Sequence, residues 1–320
     1  MIRTAVCAFV LASVAAAQTP EAAPGRLAER LAGSYAGTEQ ATYGASLAQI
    51  DFRAEHGGTW LHARYRSTFQ GAPVHSFRMM YRSYPDGEVR AWYFNDKGGS
   101  SEYQGRFDAA GMVLRNFDTE GRLLALQRYL WTADGYDFAL STPRSDRGGL
   151  DLFLEAHYAR TARAGAFGPD PAALDVAQAL PYSVYLGEFA GKEKSADGES
   201  QGRIRTTAIL DGGWFLSEYA SSTAGSVVYS GTGITRCDDQ GRTLLYWFDS
   251  LGRFERLAGS MDAKGHLALR LDGAGKVLER HHDAFVPGGY DFRIEVADGS
   301  GGWTEGMTAE FRRVAERQDR

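Results

Sequence analysis

The sequence predicts an all-β protein made of two tandem antiparallel up-and-down β-barrels, each preceded by a short helix. Three observations support this prediction. The chain repeats itself at a fixed period, turn signals recur about every ten residues, and the segments between the turns are rich in aromatic and β-branched residues. With 320 residues, 43% hydrophobic and 23% charged, the chain has a globular composition and is long enough for two domains.

The repeat is found by aligning the chain with itself at an offset of 154 residues. Between positions 33 and 138, 30 of 106 residues are identical without a gap, whereas about seven are expected by chance. The matched pairs include Gly33 with Gly187 and Trp60 with Trp214. A constant register over this length indicates a tandem duplication.

Within each copy, most turns pair an acidic residue with a following glycine, as in Asp86-Gly87 and Asp272 with Gly275. The acidic side chain can bond its own backbone, and glycine can adopt positive φ. No helical pattern separates the strands. Each copy is therefore expected to be a meander that closes on itself, because closure removes exposed sheet edges.

Short helices are expected at the entrance of each copy. Residues 25–32 precede the first copy, and Asp170 and Pro171 are suited to begin a helix that ends before Pro181. The predicted organisation follows from these positions: a first barrel over 25–161, a linker over 162–169, a second barrel over 170–314 and a polar tail over 315–320.

Residues 1–17 have the pattern of a secretory signal peptide. Arg3 precedes an apolar run over residues 5–17, and small residues favour cleavage after Ala17. The run is shorter than the roughly 20 residues that span a bilayer. The sequence therefore predicts a periplasmic or secreted protein with no membrane span.

Cleavage there would leave 34 basic and 40 acidic side chains, which disfavours nucleic acid as a partner. It would also leave Cys237 as the single cysteine, so no disulfide can form within the chain. Cys237 is interpreted as a small half-buried filler rather than a nucleophile.

Several motifs resemble the lipocalin-like (calycin) superfamily. Gly33-Ser-Tyr-Ala-Gly37, Trp247-Phe-Asp-Ser-Leu-Gly252, Gly259-Ser-Met-Asp-Ala-Lys-Gly265 and Phe311-Arg-Arg313 are similar in particular to the bacterial domain-of-unknown-function 1579 family. The resemblance covers nearly all of the predicted mature chain, twice. It implies the barrel fold and little about function, since these motifs contain turn and packing residues.

A weaker resemblance links the first copy to heme-binding nitrobindin barrels, through residues 71–75, 84–87 and 155–160. It implies His157 as an iron ligand, in the first barrel only, because Glu310 holds that place in the second copy and Tyr229 replaces His75. The alternative is that His157 simply faces outward from its strand.

The default site in a small barrel is a ligand cavity at its mouth. Aromatic side chains in both copies are candidates to line it: Trp60, Tyr65, Trp92, Phe94, Trp214, Tyr219, Tyr246 and Phe248. Arg82 and Arg236 hold equivalent positions and could clamp a carboxylate. The alternatives are that the rings only form the core and that the arginines stack on aromatic rings near the barrel ends.

His281-His282-Asp283 is the one cluster that suggests a metal, but adjacent residues on a strand face opposite sides. Hydrolase, redox and phosphate-loop signatures are absent from the sequence. We therefore expect no metal site and no cofactor.

The expected function is an exported, non-enzymatic protein that binds a small apolar ligand in a barrel cavity. One alternative is a structural or protein-interaction module of the cell envelope with solid barrels, whose protein partner the sequence does not indicate. Heme binding in the first barrel and an unidentified hydrolase are further alternatives.

Overall fold

The computed structural model describes residues 25–42, 44–144, 149–162 and 171–315. The expected signal peptide lies outside these residues, as do almost all of the expected linker, Asp170 and residues 316–320 of the expected tail.

The described chain forms two closed antiparallel barrels of ten strands each, so the predicted fold class is confirmed. Each strand pairs with its neighbours in sequence, and the first and last strands of each copy pair to close the barrel. The first barrel contains β1 (Gly33–Ala41), β2 (Gly44–Glu55), β3 (Trp60–Phe69), β4 (Ala72–Ser83), β5 (Glu88–Asn95), β6 (Ser100–Phe107), β7 (Gly111–Phe117), β8 (Leu123–Trp131), β9 (Gly135–Pro143) and β10 (Leu150–Thr161). The second contains β11 (Gly187–Ser195), β12 (Gly198–Ile209), β13 (Trp214–Thr223), β14 (Ser226–Cys237), β15 (Arg242–Asp249), β16 (Phe254–Met261), β17 (Gly265–Leu271), β18 (Val277–Val286), β19 (Gly289–Ala297) and β20 (Trp303–Arg313).

One end of each barrel is closed by the segment that enters it. Helix α1 (Gly25–Leu31) buries Leu27 and Leu31 in the core of the first barrel. Helix α2 (Pro171–Gln178) is followed by a 3₁₀ helix, Pro181–Tyr185, whose Tyr182 and Tyr185 belong to the core of the second. The sequence predicts both α-helices but not the 3₁₀ helix.

An arginine on the last strand fastens each closed end. Arg160 lies over the Tyr35 ring and donates a hydrogen bond to the carbonyl of Ala32. Arg313 repeats this with the Phe189 ring and the carbonyl of Leu186. Stacked and hydrogen-bonded guanidinium groups thus tie each entrance segment to the barrel that it closes.

The two barrels pack side by side through a third core of outward-facing side chains. Trp60 donates its indole N–H to the carbonyl oxygen of Asp249 at 2.8 Å, and Trp214 donates to that of Asn95 at 3.0 Å. These four residues are equivalent in pairs at the repeat offset of 154. The contact therefore has approximate twofold symmetry, like the isologous interface of a dimer.

The equivalent arginines define how the barrels are oriented. Arg82, near the closed end of the first barrel, donates to the carbonyl of Gly252 at the open end of the second. Arg236, near the closed end of the second barrel, donates in the same way to Gly98 at the open end of the first. The open end of each barrel therefore lies beside the closed end of the other.

Candidate functional site

Eight of the ten residues predicted to line a cavity lie between the barrels instead of inside them. Six are aromatic side chains of the interbarrel core: Trp60, Trp92, Phe94, Trp214, Tyr246 and Phe248. The Trp60 ring meets the Phe248 ring edge-on at 5.0 Å, and the Phe94 and Trp214 rings meet in the same way at 5.2 Å. Arg82 and Arg236 bridge the same interface through backbone carbonyls, as described above.

Tyr65 and Tyr219 are the two predicted residues that do face a barrel interior. Each donates its hydroxyl to a buried carboxylate, Glu39 in the first barrel and Glu193 in the second. Glu39 also accepts from Ser46 and Tyr158, whereas Glu193 accepts from Ser200 and Ser221. No motif in the sequence singles out these glutamates, although they are an identical pair in the repeat.

The interior of the first barrel is filled by its own side chains. Seven tyrosines point inward and are buried there: Tyr35, Tyr65, Tyr81, Tyr103, Tyr129, Tyr136 and Tyr158. Burial raises the pKa of most of them, for example that of Tyr129, so their hydroxyls stay protonated. A filled interior of this kind leaves little room for a ligand.

The second barrel has smaller side chains at several equivalent inward positions. Gly231 and Gly233 stand where the first copy has Phe77 and Met79, and Ala268 stands where it has Leu114. The Trp247 ring lies against the two glycines of β14. Only glycine allows this approach at position 231, since a Cβ there would overlap the ring. The ring is thereby held against the wall of the barrel, away from its axis.

Charged side chains line the opposite part of this interior, toward the open end. Glu255 on β16, Arg270 on β17, and Glu279 and His281 on β18 are brought together by the strand register. The first copy has Ser101, Asn116, Ala125 and Gln127 at these positions. The second copy thus carries a charged cluster that the first one lacks.

The cluster is accessible to solvent although it faces the interior. Its four side chains are 17–28% exposed; of their counterparts in the first barrel, Asn116 and Gln127 are 8% and 6% exposed, and Ser101 and Ala125 are partly exposed. This exposure indicates space beside the four side chains that connects to the open end. We call this space, with its walls, the lumen of the second barrel.

The two carboxylates of the cluster have opposite environments. Burial raises the pKa of Glu255, and the neighbouring charge of Glu279 adds to this effect. Burial acts in the same direction on Glu279, but hydrogen bonds from His281 and Arg270 outweigh it and lower its pKa to about 2. Arg270 therefore pairs with Glu279, while its Nε lies 3.9 Å from the nearest oxygen of Glu255.

A second polar network lies at the closed end of the lumen. His266 contacts the Thr243 hydroxyl at 2.8 Å and Asp283 at 3.3 Å, and Asp283 also accepts a hydrogen bond from Tyr185. Tyr185 belongs to the 3₁₀ helix, so this network ties the closing segment to β15, β17 and β18. Every polar group named here has a partner, as buried polar groups require.

His157 and Cys237 lie away from the charged cluster. His157 is 46% exposed on the outer face of β10, and its two ring nitrogens contact Asp137 and Asp134. It cannot be an axial ligand of a group inside the filled first barrel. Cys237 is buried, and burial raises the pKa of its thiol, which does not favour a nucleophile.

His281 and His282 lie within β18 and bond different carboxylates, Glu279 and Glu295. Among the residues that the structure describes, no group of three or more His, Cys, Asp or Glu side chains could hold a metal ion. A surface pocket of about 410 Å³ lies elsewhere, at the closed end of the first barrel beside Arg30 and Trp131.

Comparison with known proteins leaves the family open, since neither a family model nor a curated protein matches this chain. Rv2717c from M. tuberculosis, a solved structure, is 18% identical, with a TM-score of 0.37 over 44% of this chain and 99% of that chain. A DUF3598-family protein of unknown function from Nostoc punctiforme is 10% identical, with a TM-score of 0.28 over 89% of this chain and 97% of that chain. In the described residues, no helix combines the length and apolar character of a membrane span.

Proposed function

We propose that this is an exported binding protein whose second barrel holds one small molecule in its lumen, while the first barrel acts as a rigid support. The observation that carries the proposal is the difference between the two interiors. Gly231, Gly233 and Ala268 stand where the first barrel has larger apolar side chains, and the charged cluster, whose side chains are 17–28% exposed, stands where it has uncharged ones. Duplication allows one copy to preserve the packing while the other diverges.

The export half of the proposal rests on the leader-like residues 1–17 and on the resemblance to secreted lipocalin-like proteins. The binding half rests on the lumen, whose walls combine an aromatic ring, aliphatic side chains and a few polar groups, as in small-molecule sites generally. This composition favours a ligand with an apolar body and a polar end, and so refines the small apolar ligand that the sequence suggested.

Native mass spectrometry of the protein purified from its own host tests the binding half. We expect one small molecule for each chain, and we expect Ala268→Leu, which places the first barrel's residue in the lumen wall, to abolish it. Leu130→Ala, an exposed site on the first barrel, is the control and should keep the molecule. A wild-type protein that never carries or takes up any small molecule would contradict the proposal.

A further inference from the structure

The charge of the lumen indicates which ligands it would select. Four carboxyl groups face the interior around the open half, those of Glu193, Asp249, Glu255 and Glu279, and that of Asp249 is paired with Arg253. Arg270 is already paired with Glu279, and Glu193 accepts hydrogen bonds from three hydroxyls. Glu255 therefore remains as the carboxylate whose charge is compensated least.

The surroundings of Glu255 fit a positively charged group better than an anion. Trp247 pairs with Glu255 across β15 and β16, and the Tyr219 ring lies 6.0 Å from the Trp247 ring. Aromatic faces attract cations and a nearby carboxylate adds to that attraction, whereas an anion here would be repelled by Glu255 and Glu279. Ile294 and Met307 supply apolar wall, since β19 and β20 pair them in register.

We propose, on the basis of the binding function argued above, that the lumen selects a small organic cation: an ammonium or guanidinium group on an apolar body, with Glu255 as its counter-ion beside Trp247. The matching position in the first barrel is Ser101, in a filled interior, so that barrel would not share the selectivity.

Three probes with one apolar body and different head groups test the charge selectivity. 4-Phenylbutylamine, 4-phenylbutan-1-ol and 4-phenylbutyrate are titrated calorimetrically into the purified chain at pH 7.5. We expect the amine to bind at least tenfold more tightly than the alcohol, and the butyrate to bind most weakly. Glu255→Gln should remove the preference for the amine, whereas Ser101→Gln, its counterpart in the first barrel, should leave it unchanged.

A pH series separates the role of Glu255 from that of its charged neighbours. Glu279, Arg270, Arg253 and His281 all face or influence Glu255. Because its pKa is raised, Glu255 becomes protonated earlier than an ordinary glutamate as the pH falls, so amine affinity should decrease between pH 7.5 and pH 5. The decrease should disappear in Glu255→Gln, which leaves His281 in place.

The outcomes distinguish this inference from the proposed function. If the three probes bind equally, or if Glu255→Gln retains the preference for the amine, the charge selectivity is refuted while ligand binding stands. If none of the probes binds but mass spectrometry finds a native ligand, the cation class is again refuted. If neither method finds a bound molecule, both proposals fail.

Discussion

The buried glutamates illustrate how single residues specify the barrel interiors. Glu39 and Glu193 are 1% and 3% exposed, and each accepts hydrogen bonds from three hydroxyl groups. A buried charge is tolerated only with such partners, and removing one member leaves the others unsatisfied. Glu39 on β1 is thereby tied to β2, β3 and β10, and Glu193 on β11 is tied to β12 and β13.

Replacing Glu39 by Leu should therefore destabilise the first barrel, because three buried hydroxyls lose their acceptor. We expect a loss of about 3 kcal/mol or more, compared with about 1 kcal/mol for Tyr158→Phe, which removes one donor. Urea denaturation followed by circular dichroism measures both. Equal losses for the two variants would mean that the hydrogen bond of Tyr158 alone, and not the carboxylate shared by three donors, accounts for the stabilisation.

His56 lies at the edge of the interface, and we expect acid to weaken the contact between the barrels there. His56 contacts Ser230 and Thr232 of the second barrel at 2.8 and 2.9 Å, and burial lowers its pKa despite nearby acidic groups. The unfolded chain therefore binds this proton more readily than the folded chain does. By linkage, the stabilising contribution of neutral His56 is fully present above the ordinary histidine pKa of 6.5. It decreases as the pH falls below that value.

Melting temperatures measured between pH 7.5 and pH 5 test this direction. We expect the wild-type chain to lose stability over this interval and His56→Asn to lose less, since asparagine tolerates the positive φ of 51° at this position. The neighbouring Glu55 has its pKa lowered to about 2 by His62 and Thr232 against the effect of burial, so its contribution is lost only at more acidic pH. An unchanged pH profile in His56→Asn would assign the effect to another group.

At the scale of elements, the interbarrel core packs β3, β4 and β5 of the first barrel against β13, β14 and β15 of the second. Trp60 and Trp214 are fully buried there. Replacing a buried tryptophan by alanine lowers the free energy of unfolding by about 3–5 kcal/mol. Here the lost packing is that between the two barrels. Trp60→Ala and Trp214→Ala should therefore have similar effects, as their equivalent positions require.

Differential scanning calorimetry can show whether the two barrels unfold separately once the contact between them is weakened. We expect a single unfolding transition in the wild-type chain and two resolved transitions in either tryptophan variant. Trp303→Ala is the control, because Trp303 lies under Arg280 on the outer surface of the second barrel, away from the contact. Two transitions already present in the wild-type chain would mean that the interface contributes little to cooperativity.

The elements were predictable because their signals are local, whereas the positions of the candidate residues were not. Turn glycines such as Gly87 and Gly241 adopt positive φ as expected, and they fix where strands end. Alternation along β5 then places Trp92 and Phe94 on one face and Tyr93 on the other. Both faces are aromatic, so the pattern alone does not tell which one faces the interior and which one faces a second barrel.

At the scale of the whole molecule, the duplication itself contained the information that locates the candidate site. Residues kept in both copies, such as Trp60 with Trp214 and Arg82 with Arg236, belong to shared architecture. Positions where the copies differ in size and charge, such as Ala125 against Glu279, mark the lumen. Differences between the copies thus mark the site, but only the structure showed which positions face inward.

The contrast between a filled and an open barrel predicts opposite responses to exchanging one equivalent pair. Leu114 in the first barrel and Ala268 in the second are both inward-facing and buried. Leu114→Ala should cost about 2–5 kcal/mol, because a filled interior cannot collapse around the lost side chain. Ala268→Leu should change the unfolding free energy by less than about 1 kcal/mol, because its side chain enters the lumen. Denaturant titrations of both variants measure the two effects. A large loss in Ala268→Leu would show that the second barrel is as tightly filled as the first, and that it has no room for a ligand.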